Sequence, residues 1–233
     1  MKECFQDIFS VYLMPKFLQN ILITGLLCLL VSTSAMGQDN ADTQSWNDVQ
    51  VTVKLNKKVD LFSVATLQFQ KNLTQVKDGR FAIGLTLKPS DSLSITPFTT
   101  LLRFRRSSGE FRTEYRFSLR AVYRFPTKRF GLSHRSQIEY RFRPGANSWR
   151  YRPSLTVEKA IPKSFASGLK IFATEEPFYD SASGRFSRNR FSVGVNKVLS
   201  EKLSLDIYYL RQGDNFSNPG TVHVIGTAWK IKL

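Results

Sequence analysis

Disulfide bonds cannot account for the stability of this chain, because its 233 residues include only two cysteines, Cys4 and Cys28, both close to the N-terminus. Acidic residues are also scarce. Eighteen Asp and Glu stand against 34 Lys and Arg, which leaves a net charge of +16. No run of eighteen apolar residues occurs, so no segment is built to cross a bilayer as a helix. The longest apolar stretch, Ile21 to Val31, has eleven residues, which suits the core of a secretory signal peptide. Lys16 supplies the positive flank and Ala35-Met36-Gly37 the small residues, so a signal peptide over 1–37 is expected, with Met14 as the alternative start. Leu27 precedes Cys28 where a lipoprotein signal needs a small residue. Histidine is limited to His134 and His223, and there is no Cys/His metal spacing, glycine-rich phosphate loop or haem motif. Neither cofactor nor metal is expected.

What the chain does have is alternation. In Phe111 to Phe125 (FRTEYRFSLRAVYRF) the odd positions are apolar or small, and the even ones are mostly Arg, Glu or Ser. A period of two held this long is a β-strand with one oily and one cationic face. It resumes in Leu132 to Arg143, with Leu132, Ile138, Tyr140 and Phe142 on one face and Arg135, Gln137, Glu139, Arg141 and Arg143 on the other. Strands crossing a bilayer need about nine to eleven residues, against a mode of about five or six in soluble sheets. Similar patterns begin at Trp46, Leu61, Phe81, Leu93, Trp149, Leu169, Arg188, Leu203 and Thr221, which makes eleven strands. Single-chain bacterial barrels usually have an even number, so the expectation is an all-β, antiparallel, up-and-down transmembrane barrel of 10–12 strands over residues 38–233. The turns NKKVD, PSDS, PTK, IPKSFAS and LSEK read as a tighter set, periplasmic in such a barrel. NLTQVKDG, RRSSGE, EEPFYDSASGRF and GDNFSNPG read as longer outer loops.

Alternation alone also fits a soluble barrel or sandwich with an oily interior. Aromatics near strand ends and the export signal favour the membrane reading. The oily faces then meet lipid, and the other parity lines the lumen with Arg103, Arg105, Arg112, Arg116, Arg120, Arg135, Arg141, Arg143, Arg150, Arg152, Arg188 and Arg190. Glu114, Glu139 and Glu158 are the expected counter-charges, too few to neutralise them. Centring the hairpin on PTK places Arg116 opposite Glu139, Glu114 opposite Arg141 and Arg135 opposite Arg120.

Three patterns read more blandly. Ser136 shares a face with His134 but lies about 7 Å along the strand, a poor start for a serine hydrolase. His223 reads as an incidental residue near a loop. Glu175, Glu176 and Asp180 match no Ca²⁺ loop, so a solvated loop is expected there.

The runs HRSQIEYRFR (His134 to Arg143), RYRPSL (Arg150 to Leu155) and DIYYLRQ (Asp206 to Gln212) resemble the outer-membrane family catalogued as domain of unknown function 2490, over roughly Trp46 to Leu233. The resemblance implies an outer-membrane barrel and carries no catalytic residues with it. Outer-membrane barrels tend to end in an aromatic residue, whereas this chain ends in Leu233. The expected protein is thus a non-enzymatic barrel of the Gram-negative outer membrane that passes or binds small anions through an arginine-lined lumen. A closed structural barrel contacting lipopolysaccharide is the alternative, and a membrane-embedded lipid hydrolase the third reading. Its expected partners are outer-membrane lipid, lipopolysaccharide, the outer-membrane assembly machinery and small anions, but not nucleic acid.

Overall fold

The computed structural model describes residues 41–143, 146–214 and 216–233; the leader expected over 1–37 lies outside the described residues. Eleven strands follow in chain order: β1 (Asp42–Lys54), β2 (Val59–Gln70), β3 (Gln75–Leu87), β4 (Leu93–Arg105), β5 (Phe111–Phe125), β6 (Gly131–Phe142), β7 (Ser148–Ala160), β8 (Leu169–Asp180), β9 (Arg185–Val198), β10 (Leu203–Asp214) and β11 (Thr221–Lys232). Each pairs with its chain neighbours, and β1 closes the ring against β11. The count falls within the expected range, but the sheet is not wholly antiparallel. An odd number of alternating strands leaves the first and last pointing the same way. The closing seam is therefore parallel, running from Asp42 opposite Val222 to Thr52 opposite Lys232. Near its end Lys54 donates to the Leu233 carbonyl and Leu233 to that of Thr52, each at 2.9 Å.

Side chains divide by parity into two populations, and the division is inside out. Among the described residues, 17 buried side chains are polar or charged and nine are apolar, the reverse of a soluble barrel with an oily interior. Phe117 and Leu119, midway along β5, are 50% and 46% exposed, and Leu101, Ile138, Leu155, Val193 and Ile207 continue the belt round the wall. In water such a belt would drive aggregation; against hydrocarbon it is the favourable surface, since the closed ladder leaves no backbone polar edge. Aromatic pairs mark the strand ends, with Tyr123–Phe125 edge-to-face at 5.0 Å, Tyr140–Phe142 at 4.9 Å and Trp149–Tyr179 stacked at 5.2 Å.

Inside, Trp46 packs with Leu210, Val222, Val224 and Tyr208, and Phe62 with Ala82, Phe98 and Val64. Gly226 sits opposite Tyr208, and a Cβ there would come within 2.1 Å of the phenol ring. That inward glycine leaves the space the Tyr208 ring occupies over β11.

Two expectations about the connections fail. Most of NLTQVKDG and EEPFYDSASGRF is strand, and the actual turns, 71–74 and 181–184, have four residues each. The connection at 161–168, placed in the tight set, has eight. Loop length therefore does not orient this barrel. The β5–β6 register also differs, because Phe125 pairs with Leu132 rather than near Phe130. Arg116 then faces Arg141, Ser118 faces Glu139, Arg120 faces Gln137 and Val122 faces Arg135. The connection at 126–130 takes more chain than PTK alone. A slip of two leaves every side chain on its expected face, whereas a slip of one would have inverted them all.

Candidate functional site

The inward positions of β5 to β9 build an ionic network, with separate ion pairs beside it on β3 and between β9 and β10. Glu114 on β5, 1% exposed, accepts from Arg116 Nε at 2.6 Å and from Arg141 Nε and Nη2 at 2.7 and 3.0 Å. Glu139 on β6 accepts from Arg152 Nη1 at 2.6 Å and Gln137 Nε2 at 2.8 Å, with Arg116 Nη1 at 3.9 Å. The Arg116–Glu139 and Arg141–Glu114 contacts expected as directly opposed pairs thus occur as diagonal ones, which long side chains reach easily. Glu176 on β8 accepts from Arg135 and from Arg152 Nη2 at 2.8 Å, with Arg190 Nη1 at 3.8 Å. Asp180 holds Arg150 at 2.8 Å and Asp214 holds Arg188 at 2.8 Å. On β3, Asp78 accepts from Arg80 Nε at 2.6 Å, and the same guanidinium donates to Gln68 at 3.0 Å. Each carboxylate is thereby compensated, as burial of charge in a narrow lumen requires.

Aromatic faces support several guanidiniums. Arg120 lies 4.7 Å from the Phe98 ring centroid and 5.4 Å from that of Phe62 while donating to Gln137 at 3.0 Å. Phe178 lies between Arg152 at 4.5 Å and Arg190 at 4.7 Å, and Arg190 continues to Trp46 at 4.6 Å.

Above the network lies a vestibule at the mouth formed by the turns at 71–74, 106–110 and 181–184. One cavity of about 400 Å³ is lined by nine arginines (80, 116, 141, 143, 150, 152, 185, 188 and 190) and by one carboxylate, Asp180. A second, of about 380 Å³, shares six of those arginines and adds Lys77, Arg105, Asp42, Asp78 and Glu114. Two buried guanidinium donors, Nε of Arg135 and Nε of Arg143, have no hydrogen-bond partner among the described residues.

Not every expected lumen residue lies there. Arg103 follows the outward parity of Leu101 and stands with its guanidinium 5.4 Å from Phe111 on the outer face. Arg105 reaches only the edge of the second cavity, tied to the rim by bonds to the carbonyls of Val76 (3.2 Å) and Gly109 (3.0 Å). Arg112 is exposed at the start of β5. Glu158 belongs to the opposite end of the barrel, where it pairs with Lys170 at 3.2 Å, both side chains nearly half exposed. It offers the arginines nothing. Missed were Glu176, Asp180, Asp78, Asp214 and Arg80. Consecutive polar residues signal loop in a soluble protein, whereas here one polar parity faces a polar lumen. The Ca²⁺ grouping dissolves for the same reason, since Glu175 points outward and Glu176 inward.

On the outer face His134 Nε2 lies 3.0 Å from Ser136 Oγ, which contacts Tyr151 OH at 3.2 Å. The side chains close the gap that strand spacing suggested would keep them apart. No carboxylate bonds this imidazole among the described residues, so the pair lacks the orienting acid of a hydrolytic triad. His223 contacts Tyr209 OH at 2.6 Å through Nδ1, also on the outer wall.

The model of the family described as "Protein of unknown function (DUF2490)" matches residues 43–223. A comparison with curated proteins returned no match. Among solved structures the chain is similar to the NanC porin in a rhombohedral crystal form, at 11% identity and a TM-score of 0.53, covering 82% of this chain and 99% of that one. It is also similar to LpxR from Salmonella typhimurium, at 8% identity and a TM-score of 0.49, covering 75% and 83%. The likeness to the porin concerns the closed barrel fold.

Proposed function

The chain belongs to this family of proteins of unknown function, and from that premise we propose that it is an outer-membrane barrel whose arginine vestibule binds small anions and hands them along the lumen. The observation that carries the reading is the ratio of nine arginines to one carboxylate round a single cavity. Carboxylates beneath neutralise the network from below, so the guanidinium edges facing the cavity remain available to a phosphate, sulfate or carboxylate group. The reading assigns the barrel no bond-making step. Arg143 and Arg185 line the cavity without being the principal partner of any buried acid, so removing them spares the network. The Arg143→Gln/Arg185→Gln variant should bind inorganic phosphate about tenfold or more weakly in calorimetric titration, since each charge-assisted hydrogen bond contributes about 1.5–3 kcal/mol. The same variant should show reduced anion preference in bilayer reversal potentials. Cation preference in the unmodified protein, or unchanged phosphate affinity in the variant, would overturn the reading.

A second reading rests on the outward arginines. The guanidiniums of Arg103 and Arg105 lie 5.4 and 4.5 Å from the Phe111 ring at the rim of the same mouth. Cations held on an aromatic at a membrane boundary suit lipopolysaccharide phosphates. Arg103→Gln should then lower retention of lipopolysaccharide by the purified barrel without changing phosphate affinity; equal retention would remove this contact.

A further inference from the structure

The ladder joining β7 to β8 pairs Arg150 with Asp180 and Tyr151 with Tyr179, stops, and resumes at Leu155 with Glu175. Register places Pro153 opposite Pro177 within the gap. Each proline stays in continuous register with its other neighbour, Pro153 with Ser136 on β6 and Pro177 with Asn189 on β9. A strand residue sends its amide to one side only, so the N–H that each proline lacks is the one that would cross this seam. Two opposed donors are missing at a single pair. Pro97 on β4 makes a lesser break, where one proline faces Leu85 and the hydroxyls of Thr86 and Thr96 meet at 3.0 Å beside it.

What spans the β7–β8 break is a side-chain ion pair on the lumen side, with Arg152 Nε and Nη2 at 3.0 and 2.8 Å from Glu176 Oε1. The outer face beside the break departs from the aliphatic belt. Ser136 meets Tyr151 at 3.2 Å on one side, and Asn189 donates to the outward Glu175 at 2.5 Å on the other. Directly behind lie Phe178 and the guanidiniums of Arg152 and Arg190.

We propose that the wall opens laterally between β7 and β8 and admits a phosphate-headed amphiphile from the bilayer. Its head replaces Glu176 on Arg152 and its alkyl chain trails through the break between the prolines. This rests on the anion-binding reading of the vestibule and adds to it the class of ligand and its route. A backbone ladder cannot be exchanged for a ligand, but an Arg–carboxylate pair can, because a phosphate offers the same bidentate acceptor edge. The polar groups flanking the outer side give the head hydrogen-bonding partners during transit, where hydrocarbon gives none.

The test locks the seam. Thr156 and Thr174 face each other across it with hydroxyls 2.9 Å apart, so Thr156→Cys/Thr174→Cys places two thiols within bridging reach. The protein carries Ser at positions 4 and 28, and Trp149→Phe and Trp229→Phe leave Trp46 as its sole tryptophan, a lumen reporter. It is reconstituted in phosphatidylcholine vesicles and exposed to dodecyl phosphate brominated on the carbon next to the head, which stays in the lumen when the head sits on Arg152. Trp46 emission should be quenched in the reduced form and severalfold less in the disulfide form, with quenching restored by reductant. Inorganic phosphate should bind both forms equally. Equal quenching in both forms means entry through the mouth and overturns the lateral route, as does no quenching in either while phosphate still binds. Absence of phosphate binding in both forms defeats the vestibule reading instead. Pro153→Ala/Pro177→Ala, which restores both donors, provides the second arm. It should protect the amides at 153 and 177 from hydrogen exchange and slow the quenching; unchanged quenching with protected amides also overturns the proposal.

Discussion

Glu176→Ala should destabilise the folded barrel by about 3–5 kcal/mol, read from the urea midpoint in vesicles. The cause is the loss of one acceptor serving three cations. Arg135 and Arg152 bond this carboxylate directly and Arg190 stands 3.8 Å from it, while Glu176 itself is 7% exposed. Arg152 keeps Glu139 at 2.6 Å, but Arg135 has no other carboxylate within salt-bridge distance among the described residues. A buried guanidinium left without its counter-charge costs far more than the pair contributed, because desolvation is not recovered. Glu158→Ala makes the contrast. Its pairing with Lys170 is at 3.2 Å with both side chains nearly half exposed, so a change of about 0–1 kcal/mol is expected. Equal small effects at both positions would show that water fills the lumen around Glu176 and that the network is not a sealed one.

Leu119→Arg tests the other face. Leu119 lies midway along β5 on the exposed belt, beside Phe117. Arginine at a bilayer midplane on the lipid face of a barrel costs about 2–4 kcal/mol, falling to about 0–1 kcal/mol near the interface. The same substitution at Phe125, the last residue of the strand, should therefore have little effect. Comparing the two folding equilibria in one lipid gives a depth profile along a single strand. Equal costs at both positions would mean that the belt does not meet hydrocarbon.

Strand identity and facing were readable because a two-residue period survives any error that shifts a strand by an even number. This is why Arg116, Arg120, Arg135, Arg141, Arg150, Arg152, Arg188 and Arg190 point inward although the β5–β6 register was two residues off. Turn composition misled more. In Gln75 to Asp78 and Glu175 to Asp180, polar residues on both parities look like solvated loop because the usual criterion assumes that a strand's second face is apolar or its polar face wet. Here Glu176 and Asp180 satisfy guanidiniums of β6 and β7, a demand set by partners distant in sequence, while Asp78 serves Arg80 on its own strand. Asp214 was hidden in the same way inside GDNFSNPG, its pairing with Arg188 spanning two strands. Arg103 failed for a simpler reason. It ends a strand whose inward residues are Ser94, Thr96, Phe98, Thr100 and Leu102, so a cation falls on the apolar parity at the rim, where its head can reach water.

The parallel seam sets a molecular address. Because β1 and β11 run the same way, Asp42 starts at the arginine mouth while Lys232 finishes at the far one. A barrel with paired antiparallel ends returns its chain to the compartment it left; this one does not. Epitopes placed at either end of the barrel domain would be sorted to opposite compartments. A membrane-impermeant reagent would reach one and spare the other, and would thereby report which way the vestibule faces.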